Sequence, residues 1–504
     1  MTTEARPSTA ERAGSGPTDP IFAWRFRRAK SALTHHPPRS STADPLTPPP
    51  LSHRAPEPAP LPSAQTREPT MTSADTGHPD LSHSPTTRAN GNLPAEAADA
   101  PAPDPDASRP GPLAGIRVLD LGTVYAAPIT AMLLGDYGAE VIKIEHPRGD
   151  PARTHGLSKD GHGLWWKVIA RNKRTVTLNL STPDGQDLLR RLAGQADVLV
   201  ENFRPGVMEN WGLGPDRLQQ INPGLVMLRV TGFGQSGPYA KRRAFGTLAE
   251  AMSGLAHQTG QADGPPTLPP FGLADGVSGV SGALAVMLAL YHRDTSGGRG
   301  QVIDLALLEP LLGILGPGPS VYDQLGIIAG RHGNRSPSNA PRNTYLTADN
   351  RWVAISASAT SIAERVMRLV GRADIAEKPW FCSAEQRVQR AELIDRPVAQ
   401  WIGAHTFTEV VEAFHTAGAA LAPVYDVEQL THDPHVLARD VLTTIQDEDL
   451  GPLKMQNLFF RMSRTPGTIR HSGRRLGQDT AAVLAQLAGV NPDDLGPLRE
   501  RGVI

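Results

Sequence analysis

One carboxylate, Asp275, stands in unusual surroundings that could serve chemistry on a substrate. Asp275 lies in the segment 271–279 (FGLADGVSG), directly before the apolar run 280–291. That run has the composition of a buried helix, so we expect the aspartate at the mouth of this helix. An N-cap or N′ role is one interpretation, because Asp is a favoured cap. The glycines favour another, since small neighbours let a bulky substrate and backbone N–H donors come within bonding distance of the acid.

Better-known catalytic motifs either are absent or lack the structural context that they require. Residues 232–237 (GFGQSG) fit G-x-G-x-x-G, but the polar stretch 238–243 replaces the helix whose N-terminus would hold a pyrophosphate. No P-loop and no G-x-S-x-G elbow occurs in the sequence. His432 and His435 flank a turn, which favours a capping or loop role over a metal site. The sequence therefore predicts neither a nicotinamide site nor a metal centre.

The elements that would position Asp275 alternate between strand and helix patterns. Pro128 suits the first turn of one helix, and Thr182 opens another. Strands separated by helices predict an open α/β fold with a mostly parallel sheet, whose ligands bind beyond the carboxyl ends of the strands. The predicted strands are 115–121, 139–145, 174–180, 196–201 and 225–230, and the predicted helices between them include 129–137 and 182–192.

The N-terminal part differs from the rest of the chain in amino-acid composition. Residues 1–110 hold 21 of the 47 prolines and only three aromatic residues, Phe22, Trp24 and Phe26. Such a composition buries too little apolar surface to fold, so we predict a disordered Pro-rich leader. Met71 as the natural start is a further hypothesis. The remaining residues, about 390, suit two modest domains or one elaborate domain.

Charge and cysteine content exclude several classes of protein. The 50 Lys and Arg residues balance 51 Asp and Glu residues, which predicts no attraction to nucleic acid or to a membrane surface. The longest strongly apolar run, near residues 283–291, is far shorter than the roughly 20 residues of a membrane span. Cys382 is the only cysteine, which excludes an internal disulfide framework and fits a reducing, cytoplasmic location.

Several short segments, in this order and spacing, resemble the class III CoA-transferases of the CaiB/BaiF type. That family contains formyl-CoA:oxalate and carnitine CoA-transferases, with α-methylacyl-CoA racemases as relatives. The resemblance covers about residues 111–500. Its markers are 118–121 with Pro128, 138–145, 171–174, 201–206, 232–238, the Asp275 segment, 298–304, Ala340-Pro341 with Tyr345, and Leu476-Gly477 with Thr480.

The resemblance implies covalent catalysis by Asp275. Its carboxylate would attack a donor acyl-CoA thioester, giving a mixed anhydride and CoA thiolate, and the thiolate would return to form an aspartyl-CoA thioester. An acceptor carboxylic acid would then take the CoA. Because thioester energy is conserved, no ATP, no metal and no permanently bound cofactor is expected. The expected partners are an acyl-CoA and a carboxylic acid.

The resemblance also implies a set of contacts to coenzyme A. Arg204 and Arg243 are the expected charge partners of its phosphates. Lys173 and Arg174 are an open alternative, since they could equally be an ordinary solvated basic pair. The matching positions are Tyr125, Ala126, His146, Leu178, Asn179, Leu180, Ser181, Asn202, Phe203, Arg204, Asn210, Arg243, Phe245 and Gly246.

Some positions depart from the formyl-CoA:oxalate pattern. Tyr125 replaces a glutamine, His146 and Asn210 replace arginines, and His155 lies about where that enzyme has a tryptophan. A glycine-only loop over its active site is replaced by residues 333–339 (GNRSPSN). These changes make oxalate an unexpected acceptor and leave a dicarboxylate, a carnitine-like acid or an aromatic acid as candidates.

Two alternative functions remain open at the level of sequence. The related racemases pair the matching aspartate with a His-Asp pair about 30 residues earlier, but this chain has Phe245-Gly246 there. A phenyl ring cannot shuttle a proton, which argues against racemisation. The second alternative is a catalytically idle CoA-binding protein, and the retained Asp275 among its glycines argues against it.

The resemblance further implies a divided architecture. A large α/β domain would comprise residues 111–320 and 435–504, and residues 321–434 would form a linker and a smaller α+β domain. That span includes a predicted strand at 352–355 and a predicted helix at 362–370. Subunits of the family interlock as rings, so we expect an interlocked homodimer.

Overall fold

The computed structural model describes residues 111–504, so the predicted leader 1–110 and the Met71 hypothesis lie outside the described residues. The strands, in chain order, are β1 (Arg117–Asp120), β2 (Glu140–Glu145), β3 (Ser158–Lys159), β4 (His162–Gly163), β5 (Lys173–Thr177), β6 (Val198–Glu201), β7 (Val226–Thr231), β8 (Val302–Ala306), β9 (Arg342–Leu346), β10 (Trp352–Ser356), β11 (Leu421–Pro423), β12 (Leu442–Asp447) and β13 (Gly451–Gln456).

Helices connect most of these strands. The α-helices, in chain order, are α1 (Ala126–Asp136), α2 (Leu164–Ile169), α3 (Pro183–Ala193), α4 (Val207–Asn210), α5 (Pro215–Ile221), α6 (Gly246–Met252), α7 (Leu255–Gln258), α8 (Leu273–Thr295), α9 (Leu308–Ile314), α10 (Gly318–Leu325), α11 (Thr360–Leu369), α12 (Ala373–Ala376), α13 (Ala384–Gln389), α14 (Ala391–Gly403), α15 (Phe407–Thr416), α16 (Val427–His432), α17 (Pro434–Ala438), α18 (Thr480–Ala488) and α19 (Leu495–Glu500). Short 3₁₀ turns cover Pro151–Thr154, Pro379–Cys382 and Pro492–Asp494.

The central sheet has six parallel strands in the order β5-β2-β1-β6-β7-β8, which confirms the predicted α/β class. Helices cover both faces, so strands such as β6 are fully buried. The chain builds outward from β1 to β2 and β5, and then returns to place β6 on the other side of β1. This reversal opens a crevice at the carboxyl ends of β1 and β6, where open α/β sheets bind their ligands.

Local signals predicted most element ends to within a few residues. Thr182 caps α3 as expected, because its side-chain oxygen accepts the Gly185 N–H at 3.1 Å. One expected end is wrong, since β5 ends at Thr177 rather than near residue 180. The N-cap interpretation of Asp275 is also wrong. Helix α8 begins at Leu273 with Gly272 as its N-cap, so Asp275 lies inside the first turn.

Two glycines let α8 approach α1 closely. A Cβ on Gly279 would lie 2.5 Å from Ile129 Cγ2, and one on Gly282 would lie 2.5 Å from Thr130 Oγ1. The Thr130 hydroxyl donates to the Gly279 carbonyl at 2.8 Å, which joins the two helices. Any larger side chain would push the helices apart. The close contact therefore sets where the first turn of α8, and with it Asp275, stands over the sheet.

Helix α8 extends beyond the apolar run 280–291 from which the sequence predicted it. It has 23 residues, and its length and apolar composition alone would allow it to cross a membrane. This finding corrects the expectation that every apolar run is far shorter than a membrane span. Its buried face, including Ser278, Val286 and Ala289, packs in the interior as the face of a core helix does.

A second sheet lies within residues 321–434. Strands β9, β10 and β11 are antiparallel in the order β11-β10-β9, and they share a hydrophobic core with α11, α14 and α15. The predicted strand at 352–355 and helix at 362–370 correspond to β10 and α11. Farther on, Val483 and Leu484 of α18 pack in the core of the large sheet. The exact domain borders stay a prediction.

Candidate active site

Asp275 lines a cavity at the carboxyl ends of four parallel strands. The cavity has a volume of about 320 Å³ and takes residues that follow β1, β6, β7 and β8. Its lining comprises Thr123, Val124, Tyr125, Ala126, His155, Asn202, Val230, Thr231, Gly232, Ala244, Phe245, Gly246, Thr247, Gly272, Asp275 and Leu307. The position at the reversal of strand order is where the fold is expected to hold a substrate.

Glycines crowd the carboxylate of Asp275. A Cβ on Gly246 would lie only 2.1 Å from Asp275 Oδ2, and one on Gly272 would lie 3.1 Å from the same oxygen. Gly246 is the first residue of α6, so the positive end of this short helix faces the carboxylate. The absence of side chains at 246 and 272 leaves room for a second molecule to reach Asp275.

Burial dominates the electrostatics of Asp275. Burial and then the negative charge of Glu250 raise its pKa to about 6, while the backbone amide of Gly246 acts in the opposite direction. At neutral pH the group is still largely a carboxylate, but a more basic one than a solvated aspartate. Perturbed carboxyl groups in clefts are candidates for catalytic roles.

Aromatic rings form one wall of the cavity. The ring of Tyr125 stacks on Trp165 with centroids 4.4 Å apart, and His155 meets the edge of Trp165 at 6.4 Å. Burial, followed by the charge of Asp275, raises the pKa of Tyr125, so its hydroxyl keeps the proton and can donate a hydrogen bond. Tyr125 and Asp275 both border Gly272, which places a donor beside the carboxylate.

The loop that carries Tyr125 is held in an unusual backbone conformation. Val124 has φ 64°, a left-handed value that a β-branched residue rarely adopts. Its N–H donates to Asp150 Oδ1 at 3.2 Å, and its carbonyl accepts the Trp165 indole N–H at 3.2 Å. Such strain costs on the order of 1–3 kcal/mol and persists only where neighbours impose it, most often at functional sites.

A buried charge network supports this loop from below. Lys173 Nζ lies 2.8 Å from Asp120 Oδ2, and Lys143 Nζ lies 2.8 Å from Asp150 Oδ2. Asp120 Oδ1 accepts the N–H of Gly122 at 3.0 Å. Lys173 is therefore buried in an ion pair with Asp120 and is not accessible to a phosphate. Its neighbour Arg174 pairs with Glu140 at 2.6 Å, away from the cavity.

The predicted phosphate partners are not among the residues that line the cavity. Arg204 follows β6 and Arg243 precedes α6, and both side chains are exposed. Neither makes an ion pair within residues 111–504. His146 follows β2, and burial together with the charge of Arg148 lowers its pKa, so its ring is neutral at pH 7 and accepts the Arg148 N–H at 3.0 Å. Asn210 is exposed at the end of α4.

In the predicted contact segment 178–181, the two leucine side chains lie in the core, and those of Asn179 and Ser181 do not. Leu178 and Leu180 belong to the core of the large sheet, so only their backbone is free to meet a ligand. Asn179 donates its backbone N–H to the Val503 carbonyl at 2.7 Å, and its side chain accepts the Ser181 hydroxyl at 2.6 Å. The segment is thus anchored by the last residues of the chain.

The loop 333–339, expected over the active site, contributes nothing to the lining of this cavity. Asn334 donates to Thr344 at 2.7 Å, and Arg335 pairs with Asp395 and Glu392, both at 2.6 Å. These contacts tie the loop to the second sheet and to α14. Its expected role in acceptor choice stays a prediction.

The structure brings together six of the predicted residues, namely Tyr125, Ala126, Asn202, Phe245, Gly246 and Asp275. Asn202 also holds the first loop, since its amide exchanges hydrogen bonds of 2.8 and 2.9 Å with the backbone of Thr123. Sequence reasoning missed Trp165, Thr231 and Glu250. Thr231 was detectable as the last residue of a strand, whereas Trp165 and Glu250 reach the site only through tertiary packing. Phe203 lies outside the cavity, with its ring against Trp211.

Among residues 111–504, no group of three or more His, Cys, Asp or Glu side chains is arranged to hold a metal ion. His432 ends α16, and the neighbouring Asp433 caps α17 by accepting the N–H groups of His435 and Val436. The 232–237 motif leads into a turn, and the next helix, α6, begins only at Gly246.

Comparison with known proteins gives a consistent result. The family model for CoA-transferase family III matches residues 113–480. A succinyl-CoA–D-citramalate CoA-transferase from Chloroflexus aurantiacus is 40% identical over 397 residues, covering 78% of this chain and 98% of the relative. The beta subunit of a succinyl-CoA–L-malate CoA-transferase from the same organism is 41% identical over 398 residues, covering 78% and 98%. A crystal structure of a CAIB/BAIF family protein from Brucella suis is similar, with a TM-score of 0.67 and 28% identity over 75% of this chain and 100% of that one.

Proposed function

Because the chain belongs to CoA-transferase family III and is a CoA-transferase, we propose that Asp275 is the nucleophile that carries the acyl group and then CoA between two carboxylic acids. One observation carries this proposal. Asp275 is the only acidic residue lining the cavity at the reversal of strand order, within the part of the chain that the structure describes. The glycines beside it leave space for a thioester.

The proposed reaction begins with attack of an Asp275 carboxylate oxygen on the thioester carbonyl carbon. The carbon–sulfur bond breaks, CoA leaves as a thiolate, and a mixed anhydride forms. The thiolate then attacks the Asp275 carbonyl, which releases the donor acid as its carboxylate and leaves an aspartyl-CoA thioester. The acceptor carboxylate repeats these steps in reverse, and each step conserves charge. Splitting one exchange in this way replaces a difficult displacement by easier ones.

Two donors beside Asp275 support the developing oxyanion in this scheme. The backbone amide of Gly246 faces the carboxylate, and Tyr125, whose hydroxyl is protonated, borders Gly272 as Asp275 does. Preorganised donors in a partly dry site stabilise a tetrahedral oxyanion more than water does. Arg204 and Arg243, which are exposed and lie near the lining residues Asn202 and Phe245 in sequence, are the proposed contacts to the CoA phosphates.

The substrates are proposed from the relatives and from the size of the cavity. Both Chloroflexus relatives are named for succinyl-CoA and a hydroxylated dicarboxylic acid. A cavity of about 320 Å³ suits a small acid, and Tyr125, His155 and Asn202 offer polar groups to a second carboxylate. We therefore favour succinyl-CoA as donor and a four- or five-carbon dicarboxylate as acceptor over a carnitine-like or an aromatic acid.

The racemase alternative lacks a second proton carrier at the expected place. Phe245 and Gly246 line the cavity beside Asp275 where those relatives have a His-Asp pair. Neither a phenyl ring nor a glycine can take a proton from the opposite face of an α-carbon.

Succinyl-CoA and a panel of carboxylic acids test the proposed function directly. We expect new acyl-CoA to form with dicarboxylates, and incubation with succinyl-CoA followed by hydroxylamine to convert Asp275 to a hydroxamate that peptide mass spectrometry detects. Turnover without any modified Asp275 would disprove the covalent route, and no turnover with any acid would favour an idle CoA-binding protein. Deuterium exchange at the α-carbon of a 2-methylacyl-CoA would instead support racemisation.

We propose further that a second copy of the chain covers the outer face of α8, as the expected interlocked dimer requires. Leu284, Leu288 and Tyr291 recur at helical spacing on this face and are 62%, 62% and 71% exposed. Phe459 and Phe460 extend the patch and are also more than half exposed. A contiguous apolar surface of this kind marks a protein–protein contact.

Interlocked subunits cannot separate without unfolding, so dilution should not yield monomers. We expect sedimentation velocity to give a dimer across a concentration series down to the nanomolar range. A reversible monomer–dimer transition in that series would rule out interlocking, and a monomer at every concentration would rule out the dimer.

A further inference from the structure

We infer that Glu250 is a positioning residue for Asp275, which it holds in place through the first turn of α8 and drives toward its acylated, uncharged forms by like-charge repulsion. This inference rests on the proposed role of Asp275 as nucleophile. It concerns a residue outside the cavity lining, on a different helix.

The geometry ties Glu250 to the first turn of α8. Its side chain is only 1% exposed, and its Oε1 accepts the backbone N–H of Ala274 at 3.1 Å. The first N–H groups of a helix have no partner within the helix, and the N-cap Gly272 offers no side chain to accept them. Glu250 therefore supplies from α6 the cap that α8 lacks, one residue before Asp275.

The same helix also presents its amide end to Asp275. Gly246 and Glu250 are one turn apart on α6, so they lie on the same side of it. The amide of Gly246 favours the charged carboxylate of Asp275, and the carboxylate of Glu250 disfavours it. Helix α6 thus combines a donor that can support an oxyanion with a charge that makes the resting carboxylate less stable.

The charge of Glu250 is not neutralised nearby. No ion pair to Glu250 occurs among residues 111–504, and no Lys or Arg lines the cavity in that part of the chain. The other titratable groups that line the cavity with Asp275 are Tyr125 at the start of α1 and His155 after the first 3₁₀ turn. Tyr125 is neutral and His155 is exposed to solvent, so Glu250 is the principal negative neighbour of Asp275.

The repulsion has a direction in the reaction. Free Asp275 carries a negative charge beside Glu250, whereas the mixed anhydride and the aspartyl-CoA thioester carry none at that position. When the donor acid leaves as a carboxylate, it carries away the negative charge that Asp275 had beside Glu250. Glu250 therefore raises the free energy of the resting enzyme relative to both intermediates, and it makes the attacking oxygen more basic.

Substitution of Glu250 by glutamine separates the charge from the cap, because the amide oxygen can still accept the Ala274 N–H. We expect E250Q to fold normally and its acid limb of kcat/KM to move to lower pH by roughly one unit. Protonation and acylation both remove the charge of Asp275, so loss of the Glu250 charge should disfavour them by the same factor. The fraction of Asp275 that hydroxylamine traps should therefore fall by roughly tenfold. E250A loses the cap as well and should also have a lower melting temperature, while E309Q, an exposed glutamate of α9, is the control.

The outcomes distinguish this inference from the proposed function. If the wild-type protein yields the Asp275 adduct and E250Q changes neither the acid limb nor the trapped fraction, Glu250 is only structural and the inference fails. If E250Q moves both and keeps its melting temperature, the inference holds. If the wild-type protein turns over without any adduct, the proposed nucleophile is wrong and the inference falls with it.

Discussion

Replacing Asp275 with asparagine is expected to abolish CoA transfer and, at neutral pH, to make the protein more stable. The carboxylate is the proposed nucleophile, and an amide cannot form the anhydride. The stability gain follows from the pKa, which burial and Glu250 raise to about 6 in the folded protein, against roughly 3.9 in an unfolded chain. A group with a raised pKa favours folding in its protonated form.

The sign of this effect depends on pH. The stability that protonated Asp275 contributes is fully present below about pH 4 and is lost as pH rises through about 6. Above that range the charged form opposes folding by up to roughly 3 kcal/mol, the equivalent of a shift of about two pKa units. An uncharged asparagine of similar shape removes that penalty at pH 7.5 and brings little change at pH 4.

Urea unfolding of wild-type and D275N protein at both pH values measures this difference. The control is D263N, at an exposed aspartate in a loop, which should change neither stability nor activity appreciably. A variant that is less stable than wild type at pH 7.5 would show that Asp275 contributes to folding rather than opposing it. Residual transfer above the level of a mock preparation would remove Asp275 from the proposed mechanism.

Gly246→Ala is expected to lower kcat/KM by roughly a hundredfold while leaving the fold intact. An added methyl group would lie 2.1 Å from Asp275 Oδ2, a distance that the carboxylate must relieve by turning away from the cavity. Displacement of a reacting group by about 1 Å can cost two orders of magnitude in rate. Alanine suits the first turn of a helix, so α6 itself should tolerate the change.

The matched control is Gly313→Ala on α9, where an added Cβ meets nothing within 4 Å. We expect G313A to keep wild-type kinetics and G246A to keep a wild-type circular dichroism spectrum. Steady-state rates with succinyl-CoA, together with the extent of hydroxylamine trapping, provide the comparison. Full activity in G246A would mean that Asp275 does not need its present orientation toward α6.

Local spacing predicted five of the six strands of the large sheet, and β8 (Val302–Ala306) was not among the predicted strands. The strand patterns around β6 and β7 are mainly apolar, because a parallel strand with helices on both faces has no exposed side. Thr182 and Pro128 identified helix starts for equally local reasons, since caps and first-turn prolines act within one turn. Local rules were less reliable at ends, as the early end of β5 illustrates.

The residue types at Asp275, Gly246 and Tyr125 were also readable from the chain, because the family pattern places them at defined intervals. Their mutual geometry was not. The interpretation of Asp275 as a cap failed because the start of α8 depends on an acceptor from another helix, Glu250, rather than on the residue before the helix. Likewise, Lys173 resembled a solvated basic residue in sequence, yet it lies in a buried network with Asp120.

Sequence alone, then, determines the α/β class, the family and the candidate nucleophile Asp275, all of which depend on patterns along the chain. The tertiary structure decides the electrostatic state of the site. Burial, the distance from Glu250 to the first turn of α8, and the strained loop at Val124 arise where segments distant in sequence meet. Coulomb interactions and desolvation depend on those spatial distances rather than on separation along the chain.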